Sequence, residues 1–496
     1  MCIRDSDWQR LTGRLVLDIP EDQRRPSFWF TLGLAAPGEV LLDQITLFPA
    51  DAVEGFDPEV IRWAKDSHIR VLRFPGGNYV SGYHWKDDLV PMDKRPTKPN
   101  PAWDICDPHH VGTDEHIRFC RLIGAEPLIC INAGDGTPQD AADLVEYCNG
   151  GPQTKWGRVR AERGFPEPYN VKLWEIGNEL WGDWQIGHCS AEEYARRYRA
   201  FHDAMKAADL GLHFIACGHV HDDWNAPLIE QCSDILRSLS VHLLFSNSGP
   251  ASPEYCHLSH MGYSYVFEDM FRRIHEQGRQ KGIDLKIAIT EEMSFNLGEA
   301  QPNPSTLSEA LYYAGVLNSS IRTEGIVELF THSALINHGG GLAKTRGVVF
   351  AHPVYYARQQ LQQLAGGRPV AFRASGPFAD VPEWMEAWAG PQPKRFPLID
   401  AMPVRQGDAL HIVLLNRAPE GRREVAIRLE GGRFAAEGEL FQLRGASFLA
   451  RNELVHPERV VPERRRFEVP SKGPITLSLD PASLSVLTLR DRATER

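Results

Sequence analysis

Between Asp57 and about residue 360 the chain repeats one pattern: a short apolar run, a polar or acidic terminus to that run, then a helix-period segment. IRVLRFPGG is followed by TDEHIRFCRLIG, AEPLICINAG by QDAADLVEYC, and VKLWEIGNE by SAEEYARRYRAFHDAMKAAD. LHFIACG, SLSVHLLF, LKIAITEE and IVELFTHSA continue the series. Parallel strands buried on both faces read as continuous apolar runs, and helices joining them force a parallel sheet. The expected fold class is therefore α/β, a (β/α)8 TIM barrel, whose functional residues belong at the carboxyl ends of its strands. Asp57 followed by Pro58 opens the first helix, EVIRWAKDS, and Ser190 with Glu193 forms a capping box. Tyr194, Tyr198, Phe201 and Met205 form the buried stripe of that later helix.

Period-two alternation flanks this region on both sides. RLVLDI, FWFTLGL and VLLDQITLF read as half-buried strands, and so do ALHIVLLNR, REVAIRLEG, GELFQLRG and PITLSLDPASLSVLTLR. The expected division is a β-rich segment over residues 1–50, the catalytic barrel over 51–365, and a C-terminal antiparallel β-sandwich over 366–496. WMEAWAGPQPKRFP is expected as a sandwich loop, the basic run Arg464 to Arg466 as a solvated turn, and Gly339 to Gly341 as a flexible site loop. Only seven barrel strands can be counted from Ile69 to Ala334, so the first strand is expected upstream of the present start.

The bulk numbers narrow the function. With 54 basic and 65 acidic residues the formal charge is −11, which disfavours nucleic acid and anionic membrane as partners. No apolar run reaches the ~18 to 20 residues of a membrane span. Nine scattered cysteines without a CxxC pair read as free thiols, which favours a cytoplasmic setting. His219 and His221 in GHVHDD fall in a loop where polar residues are expected anyway, and neither a metal nor an organic cofactor is expected.

Two strand ends carry the chemistry. In VKLWEIGNELWG an apolar strand closes on Asn178 and Glu179, with Trp181 and Trp184 beyond. A glutamate there can protonate a glycosidic oxygen, the asparagine can bind the adjacent sugar hydroxyl, and tryptophan faces stack on sugar rings. LKIAITEEMSF supplies the second carboxylate, Glu291 or Glu292. Strand parity, which groups Ile287, Ile289 and Glu291, assigns the nucleophile to Glu291. The ionised nucleophile is expected to keep Glu179 protonated as the acid.

RFPGGNYVSGYHWKDD, KRPTKPNPAW, NAGDGT, VEYCN, WEIGNELWG and SVH, in this order, resemble the α-L-arabinofuranosidases of glycoside hydrolase family 51. The tail ASFLARNELVHPERVVP and the closing SLSVLTLR resemble that family's C-terminal sandwich. The resemblance implies a retaining exo-acting hydrolase for arabinan, arabinoxylan or their oligosaccharides, with Glu179 as acid/base and Glu291 as nucleophile. It further implies that Arg73 supports the acidic site, Asn78 and Asn178 bind sugar hydroxyls, Trp103 walls the pocket and His242 lies near the nucleophile. A homo-oligomer is left open. Leu244 departs from the family, which places a tyrosine there, and His109 stands where the family often has asparagine. Two alternatives remain at this point: an endo-β-glucanase or xylanase on the same scaffold, and a carbohydrate-binding protein without turnover.

Overall fold

The computed structural model describes residues 10–16, 30–245, 252–294, 300–345, 347–380 and 395–492. Helix α1 (Pro58–Asp66) starts as its sequence dictates, with the Asp57 carboxylate accepting the Glu59 and Val60 amides. Strand β1 (Val71–Phe74) follows, then α2 (Thr113–Ile123), β2 (Glu126–Ile131), α3 (Pro138–Asn149), α4 (Lys155–Glu162) and β3 (Leu173–Ile176). The alternation continues through α5 (Ala191–Ala208), β4 (His213–Cys217), α6 (Asp222–Gln231), β5 (Ser238–Phe245) and α7 (Pro253–Gln280). It ends with β6 (Lys286–Ser294), α8 (Leu307–Arg322), β7 (Val327–Phe330) and α9 (Pro353–Leu361). Ser190 caps α5, and its stripe of Tyr194, Tyr198, Phe201 and Met205 is buried as the spacing requires.

Strands β1 to β7 form one parallel sheet in sequence order. These are the seven strands counted in the sequence, and β1 and β7 are edges not paired to each other. The sheet is strongly curled. Arg73 on β1 bonds Glu291 on β6 at 2.7 Å, whereas five strand spacings in a flat sheet would separate them by about 24 Å. Outside, Tyr355 of α9 donates to the Trp63 carbonyl of α1 at 2.9 Å, which draws the two ends of the helical layer together. Inside, Val71, Leu128, Leu173, Ile215, Ala288 and Leu329, one from each of six strands, pack as an apolar layer. The strand residues two positions further on, Arg73, Cys130, Glu175, Cys217 and Thr290, make the next layer toward the carboxyl ends.

The C-terminal region is built of antiparallel sheets. A six-stranded sheet contains Ile399–Gln406, Ala409–Asn416, Ser483–Arg490, Glu437–Leu443 and Glu463–Glu468 in that spatial order, with Arg368–Pro369 at its edge. The pair Arg423–Ile427 and Ile475–Leu479 covers one face over a core of Leu410, Ile412, Leu440, Leu477 and Leu487. The other face meets α8, where buried Asp400 accepts from Arg322, Arg417 and Asn318 at 2.9 to 3.0 Å.

Several expectations need correction. Arg464 to Arg466 is not a turn but lies in the strand Glu463–Glu468, paired with Glu437–Gln442, where a run of charge suits a sheet edge. VLLDQITLF forms no strand: Val40, Leu41, Leu42, Ile45 and Leu47 are more than half exposed, because alternation makes a strand only when a partner edge receives it. Of RLVLDI and FWFTLGL the described portions likewise form no strand, and the remainder lies outside the described residues, as does most of WMEAWAGPQPKRFP. The Gly339 loop is tightly packed, since a Cβ at Gly339 would sit 2.1 Å from the Met293 sulfur. The eight described cysteines are free thiols, and no described helix is long and apolar enough to cross a membrane.

Candidate active site

Residues on or just after four strands, β1, β3, β5 and β6, converge on one acidic pocket, and Arg73 is its hub. Its Nη1 donates to Glu291 Oε1 and its Nη2 to Asn178 Oδ1, both at 2.7 Å, while Nε bonds Glu175. Burial works against the guanidinium charge, but the carboxylates of Glu175 and Glu291 outweigh it and raise the Arg73 pKa well above its ordinary value. A second hydrogen bond to Glu291 Oε1 comes from the Gly77 amide at 3.2 Å. Glycine is needed there: φ is +59°, and a Cβ would meet the Trp103 ring at 2.9 Å.

Glu179 follows β3 with its backbone in the left-handed region, φ +46°. Such a conformation costs a non-glycine residue on the order of 1 kcal/mol and is held by the surrounding structure. Its Oε1 lies 2.8 Å from His242 Nδ1, whose Nε2 is 3.0 Å from Thr290 Oγ1, which in turn donates to Glu175 Oε1 at 2.9 Å. His242 Nδ1 is also 3.8 Å from Glu291 Oε2. An oxygen of Glu179 and one of Glu291 stand within 4.8 Å of each other.

These contacts change the expected protonation. Burial favours a neutral Glu179, but the hydrogen bond and charge of His242 prevail and hold the carboxyl below its ordinary value. Conversely, burial opposes a charged His242, and the Glu291 and Glu179 carboxylates overcome it and raise its pKa. In the resting pocket the proton therefore resides on the Glu179–His242 pair as a unit, on the histidine side. Proximity to Glu291 alone does not place it on Glu179.

Glu291 and Glu292 separate completely. Ile287 and Ile289 belong to the helix-facing core, whereas Ala288 faces the barrel interior, so plain alternation would send Glu291 outward with the isoleucines. Pairing between β5 and β6 slips at this point: Val241 matches Ile289, but His242 matches Glu291. The extra residue is Thr290, and the bulge brings both Thr290 and Glu291 into the pocket. Parity was therefore the wrong ground for choosing Glu291. The Glu292 side chain is fully buried on the helix-facing side of β6, near Glu309 and His332, where burial and the Glu309 charge raise its pKa well above the ordinary carboxyl value.

The other expected residues line the same end. Asn178 is buried, and its Nδ2 has no protein partner among the described residues, leaving a donor for a ligand. Asn78 is half-buried in the 3-10 turn Gly77–Gly82. Trp103, half exposed, stacks on Tyr79 at 6.2 Å and lies 6.5 Å from His338. Trp181 and Trp184 meet edge to face at 5.2 Å. Leu244 brings no hydroxyl to the site, and His109 is engaged with Asp88 at 3.0 Å. Sequence reasoning missed Glu175 and Thr290. The signal for Glu175 was a carboxylate in mid-strand between Trp174 and Ile176, where a charge survives only if paired. Thr290 had no comparable signal, because its position depends on the bulge.

The family profile described as "Alpha-L-arabinofuranosidase 1 domain" matches residues 64–249, and "Alpha-L-arabinofuranosidase C-terminal domain" matches residues 293–483. A probable α-L-arabinofuranosidase C of Aspergillus fumigatus is 39% identical over 201 residues, 40% of this chain and 38% of that protein. An intracellular exo-α-(1→5)-L-arabinofuranosidase of Acetivibrio thermocellus is 34% identical over 221 residues, 43% of this chain and 42% of that protein. The matched segments thus span about two fifths of the length of these curated relatives. The arabinose complex of the Thermotoga maritima α-L-arabinofuranosidase superposes with a TM-score of 0.77 at 29% identity, covering 88% of this chain and 91% of that one. A bifunctional glucanase-xylanase from a metagenome library shares the fold at 15% identity and TM-score 0.57.

Proposed function

The chain belongs to the α-L-arabinofuranosidases of glycoside hydrolase family 51, and from that premise we propose that it removes terminal α-L-arabinofuranosyl residues with retention of configuration. One observation carries the mechanism: oxygens of Glu179 and Glu291 lie within 4.8 Å. Retaining glycosidases need their carboxyl groups about 5 to 5.5 Å apart, whereas inversion needs room for a water between them. Glu291, oriented by Arg73 and the Gly77 amide, attacks the anomeric carbon. The proton held between His242 and Glu179 passes through Glu179 to the departing oxygen. Glu179, then ionised, takes a proton from the water that opens the glycosyl-enzyme. Asn178 Nδ2 supplies the donor for a sugar hydroxyl, and no step calls for a metal or organic cofactor. The eight free thiols and the relative named as intracellular support a cytoplasmic setting.

The reading is tested by release of p-nitrophenol from the α-L-arabinofuranoside, the β-xyloside and a β-glucoside, with product configuration followed by NMR. Turnover of the arabinoside with a retained product is expected. Preference for the β-glycosides would favour the endo-β-glucanase or xylanase alternative instead.

The pH profile offers a second check. Loss of the proton from the Glu179–His242 pair sets the basic limb, and because the Glu291 and Glu179 carboxylates overcome burial and raise the His242 pKa, that limb is expected above the ordinary histidine value. His242→Asn removes the partner that stabilises ionised Glu179, so the proton reverts to the carboxyl alone and the basic limb moves to lower pH. A basic limb unchanged by this substitution would refute the shared-proton account.

A further inference from the structure

The loop after β4 runs between the strands that carry the candidate site. In the sheet β4 lies between β3, which leads to Glu179, and β5, which bears His242. Two residues beyond the end of β4 stands His219, part of a motif that the mechanism above does not use.

Its placement is built rather than incidental. Asn225, fully buried at the start of α6, holds the His219 backbone at both ends: the His219 amide donates to Asn225 Oδ1 at 3.0 Å, and Asn225 Nδ2 donates to the His219 carbonyl at 2.7 Å. The ring packs on Trp181, two residues after Glu179, at a centroid distance of 4.0 Å. The backbone amide of His221 donates to His219 Nδ1 at 3.1 Å, which makes Nδ1 the acceptor and leaves the proton on Nε2. No described residue bonds that Nε2, nor is it among the polar atoms sealed from solvent. A fixed N–H without a partner among the described residues therefore stands beside Trp181, on the loop between the strand that leads to Glu179 and the strand that bears His242.

We propose that His219 is a specificity-determining residue whose Nε2–H binds a hydroxyl of the leaving-group sugar stacked beside Trp181. The inference rests on the arabinofuranosidase reading. Glu179 must address the glycosidic oxygen, so groups beyond it on the Trp181 side meet the part of the substrate that departs. Burial pulls the His219 pKa down to about 3, so the ring stays neutral and the donor is present throughout the working range.

The test compares kcat and KM on α-1,5-arabinotriose and on p-nitrophenyl α-L-arabinofuranoside, whose leaving group has no sugar hydroxyl. His219→Asn keeps an oxygen where Nδ1 accepts the His221 amide but removes the Nε2 donor. It is expected to lower kcat/KM on the trisaccharide about tenfold, chiefly through KM, and on the p-nitrophenyl substrate by no more than about threefold. His219→Gln, which returns an N–H near the Nε2 position, is expected to recover most of the loss, with the shape of the pH profile unaltered in both variants. Equal losses on the two substrates, no loss on the trisaccharide, or no recovery with glutamine would overturn the proposal. If the unaltered chain turns over neither substrate, the arabinofuranosidase reading fails first and this inference falls with it.

Discussion

Alanine at position 291 is expected to lower kcat/KM on p-nitrophenyl α-L-arabinofuranoside by about 10⁴-fold or more, because it removes the group proposed to form the covalent intermediate. The pattern across neighbouring variants is more informative than the size of the loss. In Glu179→Ala the p-nitrophenolate leaves without needing an acid, so the glycosyl-enzyme still forms and then waits for a base. Azide, an anion that needs no deprotonation, should restore turnover and give a glycosyl azide of retained configuration. Azide added to Glu291→Ala cannot give that product, since no covalent intermediate precedes it. Glu292→Gln should stay within about threefold of the unaltered protein: burial and Glu309 already keep the Glu292 carboxyl neutral, and glutamine is its neutral isostere. Retained product from Glu291→Ala, or loss of turnover in a folded Glu292→Gln, would transfer the nucleophile assignment to the neighbouring residue.

The second large effect is expected at Arg73, where methionine would strand two carboxylates. The Arg73 side chain is 6% exposed and Glu175 is fully buried, so removing the cation leaves a buried charge with the neutral Thr290 hydroxyl and Cys130 thiol beside it. Breaking such a pair from one side costs about 3 to 5 kcal/mol, which urea or thermal unfolding would register directly. Activity should fall by about 10²- to 10³-fold, the scale for losing one preorganised donor at a reacting centre. Adding Glu175→Gln to Arg73→Met removes the stranded charge and should restore at least half of the lost stability without restoring activity. A double variant no more stable than the single one would mean that Arg73 acts through packing instead of charge.

How much of this was legible in advance differs between elements for physical reasons. Helix α1 was readable because Asp57 and Pro58 act locally, through a side chain bonding amides two and three residues away. The seven parallel strands were readable because a strand buried on both faces has to be apolar throughout. The edge strand Glu463–Glu468 was not, since its stability comes from a partner more than twenty residues distant and its own residues are those of a turn. VLLDQITLF failed in the opposite direction, showing a strand's pattern without a strand's partner.

The candidate site divides along the same line. Asn178, Glu179 and the Glu291–Glu292 pair declared themselves, because carboxylates ending apolar strands have no place in a core and mark the functional end of a barrel. Covalent sequence thus determined which side chains were available, and the order of strands and helices that gathers them. Which of two adjacent glutamates faces inward was decided by an inserted residue at Thr290, a matter of register between two strands that neither strand encodes alone. Where the proton of the Glu179–His242 pair rests was decided by His242 lying 2.8 Å from Glu179 and 63 residues along the chain from it. Distance and desolvation set that balance, and both exist only once the sheet has curled.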